Sequence, residues 1–306
     1  MIPLEAPLPA AAPRPAAQVP RLATRDDRVL PAVHGLAGLV PLVLLVAAAI
    51  LYLFPDQTPT LFAWTIQPTM SALLMGAGYA AGAYYFARVF FGTRWHRVSL
   101  YFPAITAFTA VQGLNTILYW PNFHQGQIPF YAWVGLYFTT PFVLPWLWWR
   151  NQATDPGTPE TADVLVPRGI RLGAGAAGVG LLALAALMVI RPEAILAGWP
   201  WALTPATCRA IGGWLAAPAV CDLLFAFEPR WSAWRIIVQH QALAVGLILL
   251  AVVRAWSEFN PASPATWLYV GGMAGFLLAL LALLLYMDAR RPQAAAPPHP
   301  VQPGIR

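Results

Sequence analysis

Eight apolar stretches, each long enough to cross a bilayer as a helix, occupy approximately residues 32–54, 68–91, 98–120, 128–149, 170–190, 205–226, 233–256 and 265–287. A helix of about eighteen or more apolar residues spans the roughly 30 Å hydrocarbon layer. Only 10% of the 306 residues are charged, against about a quarter in a soluble domain, so too little charge remains to coat a water-facing surface. The sequence therefore predicts an all-α fold, a polytopic transmembrane helical bundle of about eight helices.

The segments between these runs are short and hold most of the charge. All eighteen basic residues are Arg, and they set the orientation, because cytoplasmic loops retain positive charge. With the N-terminus inside, the cytoplasmic segments hold Arg14, Arg21, Arg25 and Arg28, then Arg88, Arg94 and Arg97, then Arg150, Arg168 and Arg171, then Arg230 and Arg235, and finally Arg290, Arg291 and Arg306. Only Arg191, Arg209 and Arg254 fall on the other side, fifteen against three. The expectation is a multi-pass protein of the cytoplasmic membrane with both termini in the cytoplasm. Its net charge of +6 lies in loop clusters rather than along one stripe, which argues against nucleic acid as a partner.

Residues 1–30, rich in Pro and Ala, read as a disordered cytoplasmic tail, and residues 288–306 as a second one. The first apolar run exceeds the core of a signal peptide and has no convincing cleavage site, so it reads as a retained helix. Thr204 before Pro205 is a helix start, a capping hydroxyl followed by a proline where no N–H is needed. Nine of the fourteen Trp residues (Trp64, Trp95, Trp120, Trp149, Trp199, Trp201, Trp231, Trp234 and Trp256) fall near span ends, where interfacial anchoring is expected. Cys208 and Cys221, thirteen residues apart on one predicted helix, stand about 20 Å apart along its axis and cannot pair.

The chain also matches itself. Pro55-Asp56, Trp64 and Pro68 correspond to Pro192-Glu193, Trp201 and Pro205 at an offset of 137. At an offset of 136, Trp95, Trp120, Phe123 and Val134-Gly135 correspond to Trp231, Trp256, Phe259 and Val270-Gly271. Residues 31–150 and 170–287 then form two four-helix repeats of the same orientation, related by an axis along the membrane normal, with 151–169 as a cytoplasmic linker. Small-xxx-small pairs at Gly78 and Gly82, Gly169 and Gly173, and Gly271 and Gly275 predict close helix contacts within the bundle. Pro103, Pro141, Pro145 and Pro218 are expected to bend their helices.

Ionisable residues inside a span are costly and mark candidate sites. Asp222 and His240, with Gln239 and Gln241 beside the latter, lie equally far from Trp231 in the turn between two spans and so at similar depth. They form a candidate intramembrane polar site, whose bland alternative is that Asp222 pairs with Arg235 while His240 bonds a neighbouring helix. Gln112 and Asn115 share a helix face and read as a polar helix contact. In the outer loops, His124 and Glu258 are a weaker candidate pair.

No nucleotide-binding glycine loop, zinc-binding H-E-x-x-H or nucleophile elbow occurs. No catalytic residue, metal ligand set or cofactor is therefore assigned. Beyond the lipid bilayer itself, the expected partner is a small or lipophilic solute held where the repeats meet. The alternatives are a membrane-embedded redox or lipid-modifying enzyme using Asp222 and His240, or a non-catalytic subunit of a membrane complex.

Overall fold

The computed structural model describes residues 25–291. Among these residues there are ten α-helices, four short 3-10 turns and no strand. In chain order the helices are α1 (Pro31–Leu53), α2 (Thr58–Leu61), α3 (Thr69–Phe90), α4 (Tyr101–Leu118), α5 (Ile128–Gln152), α6 (Arg168–Ile190), α7 (Glu193–Leu196), α8 (Pro205–Phe225), α9 (Trp231–Arg254) and α10 (Pro264–Ala289). Five of them, α1, α6, α8, α9 and α10, are long and apolar enough to cross a membrane. α3, α4 and α5 are of similar length but richer in Gly, Thr, Tyr, Trp and Pro. On α10, Leu268 and Leu285 are 79% and 75% exposed, and α1 likewise turns Leu39, Leu42 and Val46 outward. Water would penalise such a face, whereas lipid solvates it.

The connections gather at two ends. Of the fifteen Arg residues described, twelve lie at the end where α1, α4, α6 and α9 begin, and Arg191, Arg209 and Arg254 lie at the other. The expected tails fall mostly outside the described residues. Residues 25–30 of the first run extended against the loop before α4, where the Trp95 N–H donates to Asp27 C=O at 2.7 Å. Asp288 and Ala289 complete α10.

Helix packing is matched between the halves. α1 packs on α3 and α6 on α8, while α4 packs on α5 and α9 on α10. The halves interlock through crossed pairs, α3 on α9 and α4 on α8. The loops match as well. Isolated bridges join Arg28 to Arg94 and Leu165 to Arg230, and the Trp231 N–H donates to Val164 C=O at 3.0 Å as Trp95 does to Asp27. At the opposite end Trp64 meets Phe123 at 6.1 Å between ring centroids, and Trp201 meets Phe259 at 5.4 Å.

Helix starts follow local chemistry. Thr204 Oγ1 accepts from the Thr207 N–H at 3.1 Å, capping α8 behind Pro205. α3 has no cap of its own, and its first amides are met by the other half: Thr69 N–H and Met70 N–H donate to the Glu258 carboxylate at 2.8 and 2.7 Å.

Three sequence expectations need correction. Trp64, Trp95, Trp201, Trp231 and Trp234 are buried rather than interfacial. Four of them direct their indole N–H inward, to Gln152, Ser71, Asp288 and the Glu228 carbonyl for Trp95, Trp201, Trp231 and Trp234 respectively. An anchor would keep that polar edge wet, as the exposed Trp120, Trp149 and Trp256 can. Of the small-residue pairs, only Gly78 and Gly82 pack internally, against Trp214 and Leu44, whereas Gly169, Gly173, Gly271 and Gly275 face open space. Close approach of α6 to α8 comes instead from Gly175, Gly178 and Gly212. Pro103 does not bend a span, because α4 starts at Tyr101 and places it in the first turn, where no N–H is missed. Pro141, Pro145 and Pro218 lie inside helices, as does Pro41.

Candidate functional site

The central feature is a cavity of about 760 Å³ to which all eight long helices contribute. Its walls are overwhelmingly apolar, including Leu44 of α1, Phe86 of α3, Phe108 of α4, Leu184 of α6, Trp214 of α8 and Met273 of α10. Along α3 the lining runs from Leu74 to Phe86, twelve residues or about 18 Å of depth. The volume is within the range of sites for small organic molecules, about 300–1,000 Å³.

The carboxyl and imidazole groups of this cavity lie at its arginine-rich end, while the unpartnered Trp199 Nε1 and Tyr269 hydroxyl lie at the other. The last turn of α8 supplies Asp222, and the third turn of α9 supplies His240 and Gln241. All three are buried, at 9%, 6% and 5% exposure, which makes an unmet hydrogen bond expensive. The Tyr101 hydroxyl of α4 lies 3.2 Å from His240 Nε2, with the rings 4.6 Å apart. His240 Nδ1 has no partner, and neither has Gln241 Nε2, although that amide stands beside the Asp222 carboxyl. Asp222 and His240 thus line one cavity without forming an ion pair. Asp222 does not pair with Arg235, which is engaged by Asp288 at 2.9 Å.

Gln239 belongs elsewhere. It is one residue from His240 and so on a different helix face, and its Oε1 accepts from the Tyr84 hydroxyl at 2.8 Å and from Arg88 at 3.2 Å. Gln112 and Asn115 form a helix contact, donating to the Ala210 and Ala206 carbonyls of α8 at 3.1 and 3.2 Å. His124 and Glu258 do not share a site: His124 bonds Thr65 Oγ1 and the Phe62 carbonyl, both at 3.0 Å, while Glu258 caps α3.

A second polar cluster, absent from the candidates read in the sequence, binds the arginine-rich end together. His96 Nδ1 lies 2.5 Å from Asp27 Oδ2, and its Nε2 lies 2.9 Å from Ser232 Oγ and 3.0 Å from Glu160 Oε1. The Asp-His-Ser order resembles a charge relay, but the hydrogen-bond directions oppose one. Ser232 Oγ is 2.5 Å from Asp163 Oδ2, and a carboxylate can only accept, so the hydroxyl proton points away from His96 and the oxygen is not activated as a nucleophile. The repeat offset of 136 could have flagged this meeting, since it places His96 opposite Ser232.

Around that cluster, Arg97 forms a fork with Glu160 at 2.6 and 2.5 Å. Its hydrogen bonds hold the Glu160 carboxyl below the ordinary range against the opposing effect of burial. Arg230 is clasped by Asp155 at 2.7 and 3.0 Å and by Glu228 at 2.7 and 2.6 Å. Burial would raise Asp155, but Arg230 and the Gly157 amide outweigh it and hold the carboxyl low.

Fold and cavity together define an all-α helical bundle with membrane-spanning character. Comparison with protein-family models, curated proteins and solved structures gives no match for the chain.

Proposed function

We propose that this is a multi-pass protein of the cytoplasmic membrane, built as two four-helix repeats of the same orientation, which binds or moves a small lipophilic solute through its central cavity. The observation that carries this reading is the apolar cavity with buried, unpartnered polar atoms at both ends, on His240 and Gln241 at one and on Trp199 and Tyr269 at the other. Such a site is concave and mostly apolar, with a few polar groups to fix orientation. The exchange-matched helix pairs support the repeat reading, and the Arg distribution supports the orientation. A solute at the junction of two repeats is an arrangement that alternating access can use.

Filling the cavity tests the reading. Gly180 is among its lining residues, is exposed, and a Cβ there would meet nothing within 4 Å, so Gly180→Phe brings a ring to the mouth of the cavity without displacing a packed neighbour. Purified protein in detergent should bind radiolabelled lipophilic probes, charged or neutral, saturably in a scintillation-proximity assay. The variant should lose at least about tenfold in affinity while keeping its thermal unfolding temperature. Equal binding by the two proteins rejects the cavity as the site.

A further inference from the structure

We infer that the cavity selects a lipophilic cation, whose charge is met by Asp222. The inference rests on the cavity being the solute site and concerns which solute it takes.

Charge complementarity carries it. Among the described residues lining the cavity, Asp222 is the only carboxylate, and no Arg or Lys is present. A carboxylate buried without a counter-ion is destabilised as an anion. A bound organic cation supplies the missing charge.

The surroundings of Asp222 do not supply that charge. On its own helix the neighbouring titratable group is Cys221. α4 contributes Tyr101, whose hydroxyl is turned to His240, and α3 contributes Tyr85, which donates to the Val98 carbonyl. α6 approaches through Gly178, a residue with no side chain to offer. α9 contributes Gln241 and His240. His240 forms no ion pair with Asp222, and its Nδ1 is buried without a partner.

The walls suit a cation with apolar arms. Tyr101, Phe86, Phe108 and Trp214 all line the cavity, and aromatic faces attract organic cations whose charge is delocalised or shielded. A solute bearing an anionic head would instead find no Arg or Lys in the lining to pair with.

The test compares tetraphenylphosphonium, a permanent cation, with triphenylphosphine oxide, a neutral molecule with similar aryl arms. Both are titrated into purified protein in detergent. Tetraphenylphosphonium should bind at least about tenfold more tightly than triphenylphosphine oxide. Asp222→Asn should weaken the cation by at least about tenfold, leaving the neutral probe unchanged, whereas Asp222→Glu should retain the preference. Should Asp222→Asn fail to fold, the preference of the wild-type protein for the cation over the neutral probe decides. A cation that binds no better than the neutral probe overturns the inference while leaving the lipophilic-solute reading standing. Failure of both probes to bind wild-type protein rejects the two together.

Discussion

Arg230 is only 6% exposed, yet two carboxylates face it, Asp155 from the linker and Glu228 from the turn before α9. Removing one member of such a buried set strands the others, at a cost of about 3–5 kcal/mol. Arg230→Met should therefore lower the thermal unfolding temperature in detergent well beyond an exposed control such as Arg150→Met. The sign of its pH dependence follows from Asp155, whose carboxyl is held below the ordinary range. That contribution is present above about pH 4, the ordinary carboxylate range, and is lost as pH falls through the depressed value. The gap between wild type and variant should thus be full at pH 7 and shrink on acidification toward about pH 3; a gap that widens instead would mean Asp155 is not the partner that matters. At this scale the sequence was legible where cost alone singles a residue out, as for Asp222 and His240 inside apolar runs. It was not legible where rotation decides, since Gln239 and Gln241 flank the same histidine yet face Arg88 and the cavity respectively. Nor could tryptophans near span ends reveal that five of them are buried.

Helices α3 and α10 differ in what their glycines do. A Cβ on Gly78 of α3 would fall 2.3 Å from the Trp214 ring, whereas Gly271 and Gly275 of α10 meet nothing within 4 Å. Gly78→Ala should destabilise by about 1–3 kcal/mol through overpacking, and Gly271→Ala with Gly275→Ala should be neutral or gain a few tenths to about 1 kcal/mol per site through helix propensity. Thermal unfolding of the purified variants checks both, and a loss at the α10 pair would show that its open face meets another chain. The amides that start α3 are satisfied only through Glu258, 189 residues from Thr69. Glu258→Ala should cost about 0.5–2 kcal/mol, the range for a lost helix cap, with Glu258→Gln recovering part of it. Helix positions were readable because apolar runs of this length have few alternatives. The start of α4 was displaced from residue 98 to Tyr101 because Trp95–Arg97 form a separate 3-10 turn. Cross-half capping was unreadable, since nothing local to Thr69 or Glu258 announces the other.

Across the whole molecule, the spacing of a few Pro and Trp residues exposed a correspondence between halves, but not how they interlock. Equal offsets are compatible with two separate bundles lying side by side. The observed crossing of α3 onto α9 and α4 onto α8 means that each half completes the other's packing. Reciprocal dependence follows. Expressed separately, residues 1–157 and 158–306 should each be degraded or aggregate, because α3 and α4, or α8 and α9, would expose faces built to be covered. Co-expressed, they should reassemble, because the cut lies in the irregular linker beside Gly157, outside any helix and with no Cβ contact near that glycine. The join must still close the arginine-rich end, where Glu160 and Asp163 of one fragment bind Arg97 of the other and Ser232 of their own. A pull-down through a tag on either fragment, followed by size-exclusion chromatography, measures reassembly. Independent folding of one half would show that the crossed pairs are dispensable contacts between autonomous bundles. Cysteine labelling sets the orientation in the same experiment. Cys208 and Cys221 are buried, so a cysteine introduced at exposed Thr158 can be probed with an impermeant maleimide. It should react only after the cells are opened if the proposed orientation, with the twelve described Arg residues of that end in the cytoplasm, is right; labelling in intact cells would invert the assignment.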